Sequence, residues 1–212
     1  MTDDSDITKE NYFYTLTEED WKLNLETDIV LAADRLRQEG DLPPLFRIYT
    51  PKNEIIVMPA DFSSDEANRK FVDIVNMTCF VRDAIAYSFI CESWMVTLRR
   101  TPGETDDDYR KRRLDVTPSE SGDRVEALYG FCCFRDRAYA RRLIGEVREF
   151  TRDAAGNVLE VAAVGDPMDH FDGRVTDLLP SRRLPEHKRI VGEQLLASLG
   201  FRVETFTPPS VN

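Results

Sequence analysis

The sequence predicts an α+β fold: a single domain with a mainly antiparallel sheet, largely a meander, packed against two or three helices. Three observations predict it. Apolar residues recur at helical spacing over about 18–38 and 65–84. Runs rich in aromatic and β-branched residues recur at 45–59, 86–98 and 125–164. The strands also follow one another without the regular strand–helix alternation that marks a parallel sheet. A chain of 212 residues with 42% hydrophobic residues and 12 Phe can fill one sizeable core.

Each element has a local cause. Residues 1–10 are acidic and polar without periodicity, and are expected to be disordered. Tyr12, Phe13 and Tyr14 open the domain, which is expected to run over 11–206. Thr17 is placed as an N-cap, with Glu18, Glu19 and Asp20 favoured in the first turn by the helix dipole. Trp21, Leu25, Ile29, Ala32 and Leu36 fall on one face of the helix this opens. Gly40 marks its end, and Pro43 and Pro44 prevent continuation. Leu45–Thr50 and Glu54–Pro59 form a hairpin through Pro51, Lys52 and Asn53, expected to cover one edge of the sheet. Ser63, Ser64, Asp65 and Glu66 read as a capping box. They open a second helix to about Ala84, with Phe71, Ile74, Val75, Thr78 and Val81 inward.

Residues 86–98 then read as a central strand. Residues 99–123 break the composition and are expected to be a long charged loop. Val125–Phe134, Tyr139–Thr151 and Val158–Val164 form three consecutive antiparallel strands beside the central one. The segment 165–183 is polar and irregular. Pro185 suits the first position of a last helix ending near Leu199. Phe201–Phe206 adds a strand, and 207–212 is a loose tail.

Charge excludes some functions. With 39 acids against 28 bases the chain carries a formal charge of −11. Residues 1–40 hold 11 acids and 4 bases, a net of −7, whereas residues 181–212 hold 3 acids and 5 bases, a net of +2. This argues against a general binder of polyanions, which needs a basic surface, and makes nucleic acid an unlikely partner. It favours a protein partner with a basic surface. No window approaches 18 consecutive apolar residues, so no membrane span is expected, and the acidic start has the wrong chemistry for a signal peptide. Cys79, Cys91, Cys132 and Cys133 lie in apolar surroundings without a Cys-x-x-Cys pair. Reduced thiols in the cytoplasm are expected.

The candidate chemistry is sparse. Glu92 is the only charge in the run from Ala86 to Leu98, and a buried carboxylate must be paired or protonated. Alternation puts Glu92 and Trp94 on one face of the strand. Two readings follow. A cross-strand arginine, from among Arg124, Arg141, Arg142 and Arg148, satisfies Glu92 structurally. Alternatively Glu92 is a catalytic acid or base in a cleft, with Trp94 as a stacking wall for a ligand. Asp166, Asp169, His170 and Asp172 offer three carboxylates and an imidazole within seven residues, a candidate divalent-metal loop, though without EF-hand or His-Glu-x-x-His spacing. No other cofactor is expected. The only histidines are His170 and His187, there is no Gly-x-Ser-x-Gly elbow, and neither phosphate-binding glycine motif occurs. Arg110, Lys111, Arg112 and Arg113 follow Asp106, Asp107 and Asp108 and are candidates for partner binding. Arg182, Arg183, Lys188 and Arg189 form a second basic cluster, opposite in charge to the N-terminal region.

In general make-up, a small acidic α+β chain with two histidines, the protein resembles accessory proteins of bacteria and phages. The poor catalytic inventory, beside segregated charge and a long charged loop, points to action by binding. The function expected is therefore a non-enzymatic interaction, inhibitor or accessory protein working through its acidic surface and charged loop. The alternative is a small-ligand binder or enzyme with a pocket around Glu92.

Overall fold

The computed structural model describes residues 12–60, 63–96, 98, 100–116, 120–164, 177–199 and 204–206. The elements in chain order are α1 (Tyr12–Thr15), α2 (Glu18–Glu39), β1 (Leu45–Tyr49), β2 (Ile55–Pro59), α3 (Asp65–Val81), β3 (Ala86–Met95), α4 (Asp106–Asp115), β4 (Val125–Arg135), β5 (Arg141–Arg152), β6 (Val158–Ala163), α5 (Glu186–Ser198) and β7 (Glu204–Phe206). The expected α+β domain is what forms. One seven-stranded sheet has the order β6-β5-β4-β3-β1-β2-β7, and every pairing is antiparallel. Strands β3 to β6 are the meander.

The sheet is covered on both faces. On one face Trp21, Leu25, Ile29 and Leu36 of α2 meet Ile90, Leu128, Ile144 and Phe150 from three strands. On the other, Phe71, Val75 and Cys79 of α3 meet Phe46, Tyr87, Phe89 and Phe131. Strand alternation builds this division, so neighbouring Cys132 and Cys133 point into opposite layers. Aromatic rings knit each layer: Trp21 stacks on Phe134 at 5.7 Å, and Phe46 meets Phe89 at 4.4 Å. α2 approaches the sheet closely because β4 carries a glycine there. A Cβ on Gly130 would stand 2.7 Å from Ile29 Cδ1. α5 adds an outer layer on α3.

The α2 caps form as their residues dictate. Thr17 accepts from the Asp20 amide while the Asp20 carboxylate takes the Thr17 amide, a reciprocal capping box. Gly40 closes the helix at φ 83°, where its missing side chain removes the left-handed penalty.

Three expectations are corrected. The hairpin of 45–59 does not cover an edge; β1 lies inside the sheet against β3, and β7 pairs with β2 beyond it. Its apolar residues require this, because Phe46 and Ile48 face one layer while Tyr49 faces the other. The second helix stops at Val81 rather than Ala84, since Asp83 adopts the left-handed region at φ 53°. The segment 99–123 is not all loop: it contains α4. Thr105 caps that helix by accepting from the Asp108 amide, and Asp106, Asp107 and Asp108 in its first turn suit the dipole. The N-terminal residues 1–11, the segment 165–176 and the tail 207–212 lie outside the described residues.

Candidate functional site

Glu92 meets an arginine. Arg152 Nη2 donates to Glu92 Oε1 at 3.1 Å, and Arg152 Nε donates to Glu126 Oε1 at 3.3 Å. The same guanidinium gives Nη1 to the carbonyl of Gly40 at 2.6 Å and to that of Gly156 at 3.2 Å. One side chain therefore ties β3, β4, the end of α2 and the β5–β6 turn. The helix C-terminus is a favourable place for a cation. β3 is fully buried as far as Ile90, half-buried at Cys91 and Glu92, and exposed at Ser93 and Trp94. Burial holds the Glu92 carboxyl above its ordinary value of 4.5, and Arg152 pulls it back down. This is the structural pairing, made by an arginine other than the four expected partners. Those four go elsewhere: Arg124 lies over the Trp94 ring at 4.3 Å, Arg141 pairs with Asp177, Arg142 with Glu18 and Arg148 with Glu146. Trp94, on the same face, is 39% exposed.

The charged segment folds onto itself. Arg112 grips Glu104 with two bonds, Nε to Oε1 at 2.8 Å and Nη2 to Oε2 at 2.7 Å. That grip, with the Thr101 amide, holds the Glu104 carboxyl down to about 2. Arg100 pairs with Asp106 and lies over the Tyr109 ring, whose hydroxyl donates to the Leu98 carbonyl. Arg110 and Lys111 remain exposed and enter no ion pair among the described residues. Arg113 belongs to α4, and nothing is assigned to its side chain. Asp166, Asp169, His170 and Asp172 lie outside the described residues, among which no group of three metal-ligating side chains occurs.

A second ionic centre was not anticipated. Arg135 is fully buried, and each of its N–H groups has a partner. Nε donates to the Ala84 carbonyl, Nη2 to the carbonyl and carboxylate of Asp83, and Nη1 to the Tyr14 hydroxyl and the Asp136 carbonyl. Tyr139, left-handed at φ 63°, stacks under it at 4.0 Å and donates to Asp83. Beside it opens a cavity of about 200 Å³ lined by Tyr14, Glu18, Trp21, Arg135 and Arg142. Its charges are already matched, Glu18 to Arg142 at 2.6 Å and Arg135 to Asp83. The thiols are equally closed. Burial pushes Cys91 up to about 12 and Cys133 up to about 11, so both stay protonated and unreactive at neutral pH.

Among the described residues, the outer face of α2 is one surface that stays open. Leu23, Val30 and Leu31 are between 42% and 62% exposed and share that face with Glu19, Glu26 and Asp34. All three bases of the helix are bonded within it, Lys22 to Glu18, Arg35 to Glu39 and Arg37 to Asp34. Among the described residues Glu19 and Glu26 enter no ion pair. Leu23, Val30 and Leu31 could have been read from the sequence: they are the apolar residues that miss the buried stripe.

No family model, curated protein or solved structure matches the chain. No helix of the described residues is long and apolar enough to cross a membrane.

Proposed function

We propose that this is a non-enzymatic protein-binding module whose docking surface is the outer face of α2. The carrying observation is the row Glu19, Leu23, Glu26, Val30 with Leu31 beside it, aliphatic side chains in water flanked by carboxylates that form no close ion pair among the described residues, although Lys22 acts on Glu19 through space. A helix with anchors at this spacing docks on an apolar surface, and its unpaired acids select a basic rim. The partner is thus a protein surface that is apolar at its centre and basic at its edge. The sparse chemistry elsewhere supports binding over catalysis, since Glu92 is held by Arg152 and three of the four thiols are buried, Cys91 half-buried. Arg110 and Lys111 on α4 offer a smaller, basic contact of their own. Four free cysteines suit a reducing compartment, so the proposed setting is the cytoplasm.

The test is quantitative capture from the native host by the wild-type chain and by Leu23→Ser/Leu31→Ser, with folding checked by circular dichroism. Proteins held by the wild type should be retained ~10-fold less by the variant, the loss typical of removing two apolar anchors. Equal capture by both chains counts against the α2 face.

A further inference from the structure

α5 carries a surface that matches this one in reverse. Val191, Leu195 and Leu199 are between 50% and 63% exposed and form one stripe at spacings of four. Lys188 extends the stripe at its N-terminal end, three residues before Val191, and enters no ion pair among the described residues. Arg182 and Arg183 lie just ahead of the helix and are exposed, Arg183 no closer than 3.9 Å to its nearest acid, Asp83. Gly192 and Leu196 lie beside this stripe on the same side of the helix, Leu196 buried and Gly192 against Val81 of α3, so the stripe is the open rim of the contact between α5 and α3. Isolated exposed aliphatics are ordinary. Two in one row of a 13-residue helix and a third at its C-cap, led by Lys188, make a surface.

We infer that the partner of the α2 face is the α5 face of a second copy of this chain. The inference rests on the docking reading of α2 and names its occupant. Apolar row meets apolar row, and Glu19 and Glu26 meet Lys188, Arg182 and Arg183. The alternative of α2 against α2 sets acid on acid. α2 and α5 lie on opposite sides of the sheet, α2 directly on one face and α5 outside α3 on the other. The contact is therefore heterologous and leaves each copy with one unused face. Such an interface grows head to tail until a ring closes or a filament forms.

Three purified chains test this: the wild type, Leu23→Ser/Leu31→Ser and Val191→Ser/Leu195→Ser. Sedimentation is followed from ~10 to ~500 µM, a range that brackets interfaces of moderate quality. The wild type should exceed dimer mass as concentration rises, and each variant alone should stay monomeric. Mixed one to one, the two variants should form a dimer that grows no further, because only one intact face of each remains. A monomeric wild type at the highest concentration overturns self-recognition, while the capture experiment still decides the α2 docking reading. Dimers of the α2 variant alone also overturn the inference, since they need an α5–α5 contact. Unequal loss of helicity between the variants is checked by circular dichroism, with Ala in place of Ser as the second set.

Discussion

Arg152 serves four acceptors: two carboxylates and two carbonyls from separate parts of the chain. Removing it leaves Glu92 and Glu126 facing each other with no cation between them. Arg152→Met is expected to lower stability by ~2 kcal/mol, below the figure for a fully buried pair because both partners are partly wet. Glu92→Gln should cost less than ~1 kcal/mol, since the amide still accepts from Arg152 and no longer meets the burial penalty of an anion. Urea unfolding measures both. The sign with pH is also fixed. Glu92 is raised in the folded chain, so near its titration the folded state holds more protons than the unfolded one, and its ionisation subtracts stability as pH rises. A carboxyl-carbon titration should place Glu92 above 4.5 in the wild type and higher in Arg152→Met; a lower value in the variant would refute the clamp. The need of Glu92 for a partner was legible in the sequence. The partner was not, because Arg152 lies where a strand gives way to a turn and reaches across the intervening strand β4 to its target.

At the scale of elements, α5 is seated through Gly192, where a Cβ would stand 2.3 Å from Val81 Cγ2. In an open helix Gly→Ala stabilises by ~1 kcal/mol. Here the clash reverses the sign, because Val81 is β-branched and cannot turn away within its own helix. Gly192→Ala should lower the unfolding midpoint, and Val81→Ala should convert the same substitution into a gain over Val81→Ala alone, by calorimetry. Elements with an apolar stripe were legible: α2 and α3 were placed to within a few residues, and Trp21, Leu25, Ile29, Ala32 and Leu36 are all buried. α4 was not legible as a helix, since it has no apolar face and stands on a cap, its dipole and the Arg112–Glu104 grip. The exposed apolar row of α2, proposed above as a docking face, was missed for a related reason. Periodicity singles out the one stripe that builds the core, and a second stripe facing water disappears into the average.

For the whole molecule, two charge effects oppose each other. A net charge of −11 repels itself within each copy, whereas acid on α2 and base near α5 attract between copies. Raising salt from ~50 to ~500 mM shortens the Debye length to a few ångströms and screens both. The unfolding midpoint of the monomeric variants should rise while the assembly of the wild type weakens. A parallel response of the two would mean that apolar contact alone drives association. The meander was legible from strand succession, but the position of β1 between β2 and β3 was not, because pairing across an intervening helix leaves no local trace.

One irregularity in the sheet bears on how copies can join. Between β5 and β6 the register slips: Thr151 pairs with Glu160 but Arg152 with Val158, so Leu159 is extra. Val158 and Val161 consequently turn to the same core, while Leu159 is left 63% exposed. A foreign strand laid along that outer edge would find its donors and acceptors out of step at Leu159. Lateral growth by backbone zippering is thereby hindered at this rim, so that copies joined through their helices, as proposed, would part again when the solution changes.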